Sequence, residues 1–368
     1  MKRWLPPALA FLFARALLFA AGLRAFRADE RDQIWSLESW VRWDARHYLD
    51  IAGDGYRLLS CASVAGYAPQ DWCGNTGWFP GYPALLKPLL TAGLPAPAAA
   101  ALVSGAFAFL ALHALWTRFL DAEPTRANLA ALALAAVAPG AVYQHAAFPI
   151  SLLLFLLIRA LDAFARGRPL AAGLFGAAAA FTYPSGALVA AVMVAAALLL
   201  RKPAAPALTA LLLTAAGTAA VLLLHQLTVS DWQAFFKVQR KYGFGGGWPQ
   251  RALLERLAPL FDPEGTLFPA LQTLLVLLLM LGVAPCLPRA LRRADRERDV
   301  LLSLHALAFW LFPLLLGGGL SLHRADALLM PGAALARRLP APLAWAVLLA
   351  CAFTAFRVAA RYFRGVLV

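Results

Sequence analysis

The chain has 368 residues, 62% of them hydrophobic and only 14% charged, and its mean hydropathy is +0.68. Soluble globular domains carry about 25% charged residues, so this composition excludes that class and defines an integral membrane protein. The net charge of +14 does not point to nucleic acid: much of the Lys and Arg lies in short loops, at Arg166 to Arg168, Arg201-Lys202 and Arg289 to Arg298, where it sets orientation in a bilayer.

Apolar stretches long enough to span recur from end to end, so residues 1–368 read as one all-α, polytopic transmembrane bundle of about ten or eleven spans. Met1-Lys2-Arg3 precedes the first run, about Trp4 to Leu23, with no convincing cleavage site after it. This predicts an uncleaved first span that starts in the cytoplasm. Residues 24–80 then form a large extracytoplasmic loop, in which Ile34-Trp35, Leu37, Trp40-Val41 and Tyr48 fall at helical spacing and predict interfacial helices.

That loop carries Arg42-Trp43-Asp44-Ala45-Arg46-His47-Tyr48, an acid flanked by aromatic and basic groups. An interfacial carboxylate such as Asp44 can act as general base on a sugar or lipid hydroxyl. The same residue can equally be a helix N-cap, since a helical run follows it. Asp50 falls on another helical face, and Asp54 sits between Gly53 and Gly55 in a turn. Arg42, Arg46 and His47 can bind a phosphate or position Asp44, or snorkel toward headgroups. Cys61 and Cys73 can pair if the loop faces an oxidising compartment, whereas Cys286 and Cys351 lie in or beside apolar runs as packing residues.

Trp78-Phe79-Pro80-Gly81-Tyr82-Pro83 leads back into the membrane, and Pro88, Pro95 and Pro97 interrupt a short helix before the span from about Ala98 to Phe119. Two spans, about Ala127 to Ala138 and Pro149 to Ala165, flank Pro139-Gly140-Ala141-Val142-Tyr143-Gln144-His145. The stretch Pro169 to Leu200 has basic clusters at both ends and Thr182-Tyr183-Pro184-Ser185-Gly186 at its middle, which predicts two short helices joined by an irregular tip lining a site. A span from about Ala204 to Leu227 delivers a second extracytoplasmic loop, residues 225–268, and Leu271 to Ala284 returns. Val300 to Leu316 runs outward to Gly317-Gly318-Gly319 and Leu322-His323-Arg324-Ala325-Asp326. A short inward helix reaches Arg337-Arg338, and a last span ends in the basic tail Arg357 to Arg364, which does not fit the orientation rule.

His323 and Arg324 share the predicted side of Asp44 and form a candidate anion site, which a departing lipid phosphate needs; the plain alternative is a solvated loop pair. Gln239, Lys241, Tyr242 and Trp248 can bind a sugar, or else form an interfacial aromatic belt. The six histidines do not cluster with cysteines or carboxylates, so no metal site is expected. Gly243-Phe244-Gly245-Gly246-Gly247 follows no strand and is not a phosphate cradle, and no nucleotide-binding motif is present.

The run from Arg42 through Ala52 with Gly55-Tyr56, followed by Phe79-Pro80-Gly81-Tyr82-Pro83, resembles the PIG-V family of mannosyltransferases. Pro139-Gly140-Ala141-Val142-Tyr143, and Ala172-Gly173-Leu174-Phe175-Gly176 leading to Ser185-Gly186, resemble later segments of it. The likeness covers the first half well and the second half mainly in layout. It implies a GT-C fold, a sugar donor carried on polyprenyl phosphate, and Asp44 as catalytic base. Arg324, His323 and Arg42 are then candidates for the donor phosphate, and Trp43, His47, Tyr48, Tyr56, Phe79 and Tyr82 for substrate. The chain departs from the family at Phe148-Pro149-Ile150, where an acid is frequent, and at Tyr183-Pro184, where an Arg often precedes the tip.

The expected activity is inverting transfer of a hexose, most simply mannose, to a hydroxyl of a glycolipid, glycan or protein outside the cytoplasm, without a cofactor. Membrane lipids and the polyprenyl donor are the expected partners, and nucleic acid is not one. The excess of Arg over Lys fits a GC-rich bacterial source, and hence the bacterial inner membrane. A transporter or flippase for a lipid-linked substrate is the other reading, but transport favours ionisable groups near mid-membrane, and most acids here lie outside the spans. A membrane acyltransferase would want a buried His paired with an acid or nucleophile, whereas His113 and His305 stand alone in apolar runs.

Overall fold

The computed structural model describes residues 2–64, 66–242, 247–261, 267–292, 297–317 and 322–366. The glycine-rich stretches 243–246 and 318–321, and residues 293–296 of the basic loop, lie outside the described residues.

Six helices are long and apolar enough to cross a membrane, which makes this a multi-pass membrane protein. Helix α1 (Leu5–Ala25) leads into two 3-10 turns, Ala28–Trp35 and Leu37–Trp40, and then α2 (Ala45–Asp54). A two-stranded antiparallel ribbon follows, β1 (Leu58–Ser60) with β2 (Trp72–Gly74), in which Leu59 faces Cys73. Next come α3 (Gly81–Thr91), α4 (Ala96–Arg118), α5 (Arg126–Ala136), the single turn α6 (Val142–His145) and α7 (Ile150–Ala165). The expected hairpin is α8 (Pro169–Thr182), a 3-10 turn at Pro184–Ala187, and α9 (Leu188–Leu199). The second half contains α10 (Ala204–Val229), α11 (Ala234–Arg240), α12 (Pro249–Leu257), α13 (Leu267–Val283), α14 (Cys286–Leu291), α15 (Glu297–Leu315), α16 (Leu322–Asp326) and α17 (Ala341–Phe363).

Proline starts several of these helices: it occupies the first turn of α1, α4, α8, α12 and α17, where its fixed φ is already helical and its missing N–H is not needed. Thr125 caps α5 by accepting the Asn128 N–H at 3.2 Å. One expectation changes: the inward helix after Asp326 is a 12-residue 3-10 segment, Ala327–Arg338, with Pro331 inside it. It is buried from Ala327 to Pro331, so core packing overrides the usual shortness of such helices.

The basic loops meet at one end of the bundle and share carboxylates there. Asp162 pairs with Arg166 at 2.8 Å and with Arg118 at 3.8 Å. Asp299 pairs with Arg337 and Arg338, Arg298 with Asp121, and Lys202 with Glu297. From this end α17 runs 23 residues, or about 34 Å, to the opposite end, where Tyr362 meets the first loop. The central helices are shorter. At 14 and 12 residues, α8 and α9 extend only about 21 and 18 Å, less than a ~30 Å hydrocarbon core.

Candidate active site

Asp44 occupies the N-cap position of α2, yet its side chain caps nothing. Its carboxylate instead forms an ion pair with the Arg324 guanidinium on α16. The preceding residue, Trp43, has a left-handed backbone at φ 46°, which costs an L-residue on the order of 1–2 kcal/mol. That turn is held from outside. The Trp43 ring packs edge-on to Tyr362, 5.1 Å between centroids, and Tyr362 donates its hydroxyl to the Trp40 carbonyl at 2.8 Å. The turn thus directs Asp44 to Arg324 on α16 rather than along its own helix.

The position of Arg324 is fixed by close backbone contact. Gly140, at φ 74°, packs against the His323 carbonyl and the Ala327 N–H, where any Cβ would collide with main chain. Gly81 does the same at the hairpin: α3 begins so close to Thr182 that a side chain there would overlap it. The Pro-Gly pairs at 139–140 and 80–81 are therefore approach points that bring α16 and the tip Tyr183 to Asp44.

Aromatic rings wall the pair. Arg324 lies over the Phe148 ring at 5.8 Å, and Phe148 contacts Tyr143 and Tyr48 edge-on at 5.3 and 6.4 Å. Tyr143 in turn packs on Tyr362. Burial opposes the charge of Arg324, but Tyr183, Asp44 and Tyr48 outweigh it and hold its pKa above the ordinary value. Burial also raises the Tyr242 phenol, two residues past the end of α11, with Tyr67 and Asp44 adding to it and Arg324 opposing. The pair is partly open, with side chains 19% exposed for Arg324 and 27% for Asp44.

A second group stands beside it. His47 stacks on Trp78 with centroids 3.6 Å apart. Burial lowers its pKa, Asp44 and Asp50 raise it, and Lys241 lowers it, leaving it below the usual value. Lys241 reaches over the Tyr67 ring at 4.4 Å and lies 3.7 Å from the Cys73 sulfur. Cys61 and Cys73 are joined in a disulfide that ties the ribbon together beneath it. Among the described residues, no three His, Cys, Asp or Glu side chains converge as a metal centre would require.

Several residues expected at the site lie elsewhere. His323 is fully buried, its Nδ1 3.5 Å from Asp326, which also accepts from Gln272 at 2.8 Å. Adjacent residues on a helix point about 100° apart, so α16 can send only one of its two cationic candidates to Asp44. Arg42 turns away across the Trp43 bend and donates to the Phe363 carbonyl at 3.2 Å. Tyr82 is buried against Ser104, Phe79 against Phe235, and Tyr56 donates to the Trp78 carbonyl. Gln239 donates to the Gly77 carbonyl at 2.9 Å, tying the two loops together. Trp248 is exposed at the start of α12 and makes no stacking contact among the described residues. Tyr143, Phe148, Tyr183 and Tyr362 line the site without having been singled out for it. Their motif-bearing turns, at 139–145 and 182–186, hinted at Tyr143 and Tyr183, and the departures from the family pattern drew attention to Phe148 and Tyr183.

No model of a protein family matches the sequence, and no curated protein does. Among solved structures, the chain is similar to the apo form of the oligosaccharyltransferase of Archaeoglobus fulgidus, with a TM-score of 0.55 and 12% identity over 96% of this chain. The same enzyme in complex with Zn and sulfate gives a TM-score of 0.51 and 15% identity, again over 96% of this chain. The chain spans 56% and 53% of the length of those two structures. The chain therefore shares the helical membrane fold of these two structures.

Proposed function

We propose that this protein is a polyprenyl-phosphate-dependent glycosyltransferase, related to the PIG-V mannosyltransferases, that moves a single hexose, mannose, to an acceptor hydroxyl. The observation that carries this reading is the Asp44–Arg324 pair, held by a strained turn at Trp43 and bordered by aromatic rings. The GT-C fold supports it, as do the two motifs of the first loop. Aromatic walls suit a sugar face, and a base beside a fixed cation suits a reaction that removes a proton and releases a phosphate.

In this mechanism Asp44 takes the proton of the acceptor hydroxyl, and the oxygen attacks the anomeric carbon from the side opposite the phosphate, inverting it. The glycosidic bond forms as the bond to the phosphate oxygen breaks, and the negative charge develops on the departing polyprenyl phosphate. Arg324 carries five N–H donors in a rigid fork, so it can keep one on Asp44 and offer others to that phosphate. Arg324 supplies counter-charge to the departing phosphate in this scheme. The acceptor is a glycolipid, glycan or protein on the extracytoplasmic face of the bacterial inner membrane.

The test is incubation of purified protein with labelled polyprenyl-phosphate mannose and extracted membrane acceptors, wild type beside Asp44→Asn. Transfer by wild type and its loss by at least 100-fold in the variant are expected. Undiminished transfer in Asp44→Asn sinks the assignment, and donor binding without transfer points instead to translocation.

A further inference from the structure

The C-termini of α1 and α17 lie side by side at the site end, where Arg364 donates to the Ala25 carbonyl at 3.3 Å. Between them and the first 3-10 turn is a cavity of about 480 Å³ whose polar lining is Arg27, Glu30, Gln33, Arg42 and Arg364. Among the described residues none of these three arginines forms an ion pair, although at the opposite end Arg118, Arg166, Arg298, Arg337 and Arg338 all do. Arg42 and Arg364 donate to backbone carbonyls, and the buried Arg42 Nε has no acceptor.

The plain explanation is that arginines offset the negative poles of two helix ends. Each pole is worth roughly half a charge, so the two supply about one negative unit. Glu30 supplies one more, and against three guanidinium groups the cavity keeps a surplus of about one positive charge. Both membrane-length helices end here, which sets the cavity at headgroup level. The basic tail that defies the orientation rule also reaches it through Arg364.

We infer that this cavity binds the phosphate of an anionic phospholipid headgroup of the surrounding bilayer, clamped by Arg42 and Arg364 with Arg27 at its rim. Arg42 is two residues from Asp44, so their Cα atoms are at most about 7 Å apart. A headgroup held there ties the turn that aims Asp44 to the ends of α1 and α17. The inference does not depend on glycosyl transfer.

The experiment measures binding and thermal unfolding of the full chain in detergent with short-chain phosphatidylglycerol, phosphatidylcholine or inorganic phosphate. Phosphatidylglycerol is expected to bind at least 10-fold tighter than phosphatidylcholine and to raise the melting temperature. Arg27→Gln/Arg364→Gln, both at exposed positions, is expected to abolish that preference, while Asp44→Asn keeps it. Equal binding of the two lipids, or a preference that survives the double variant, overturns the inference. Inorganic phosphate binding as tightly as phosphatidylglycerol overturns its lipid-borne part.

Discussion

Arg324 and Asp44 are 280 positions apart in the chain and form one ion pair that joins the first loop to α16. Neither is placed there by its own element alone: the left-handed turn at Trp43 aims the acid, and the contact of Gly140 with the His323 carbonyl sets the arginine.

If the guanidinium fork holds Asp44 and a substrate phosphate together, a point charge cannot replace it. Arg324→Lys is expected to lose at least 10-fold in kcat/KM and Arg324→Gln at least 100-fold, with the protein still folded by circular dichroism. Combining Arg324→Gln with Asp44→Asn should add little to either single loss, because the two act as a unit. Fully multiplicative losses in a double-mutant cycle would show that the two residues work independently.

Gly140→Ala puts a Cβ into main chain of α16 at a left-handed φ of 74°. We expect a stability loss of about 1–3 kcal/mol, read as a lower melting temperature. Activity should fall by more than the unfolded fraction explains, because α16 carries Arg324. A variant with wild-type turnover and a lowered melting temperature would separate Gly140 from the site.

His47 links pH to the stability of the loop. Its folded pKa lies below its ordinary value of 6.5, burial being the main cause, so in the acid range the unfolded chain takes up the proton first. Stability from this group is complete above about pH 6.5 and is lost as pH falls from there toward the folded value, below which the loss levels off. Melting temperatures of wild type between pH 7.5 and 5 should therefore drop more steeply than those of His47→Gln. Parallel curves would exclude His47 as the source.

Much of the architecture was legible before the structure. The hairpin of α8 and α9 followed from basic clusters at both ends and a Tyr-Pro-Ser-Gly break, because proline and glycine interrupt a helix wherever they fall. Asp44 stood out because a carboxylate among aromatics at a membrane edge has no packing purpose. The partner that Asp44 finds was legible only as a pair of candidates, since sequence gives no phase for a five-residue helix and His323 and Arg324 look alike until one is buried. Tyr362 was illegible for another reason. In an apolar helix an aromatic residue reads as lipid-facing or core, and which of these it is depends on helices far away in sequence.

Two segments where the resemblance to the PIG-V pattern breaks, Phe148-Pro149-Ile150 and Tyr183-Pro184, both border the pair: Phe148 lies under the Arg324 guanidinium, and Tyr183 acts on its charge from the hairpin tip. A carboxylate in place of Phe148 would face the same cation and compete for its N–H donors with any phosphate that approaches. Phe148→Glu is therefore expected to raise the donor KM by at least 10-fold while kcat changes less, because the base Asp44 is untouched. Phe148→Leu removes only the ring beneath the cation, a contact worth about 0.5–2 kcal/mol, and should lower kcat/KM by less than about 30-fold with no selective effect on KM. Steady-state kinetics with the donor varied at saturating acceptor distinguishes the two. If Phe148→Glu lowers kcat and leaves the donor KM unchanged, the phosphate does not bind at Arg324, and the cation serves only to hold Asp44.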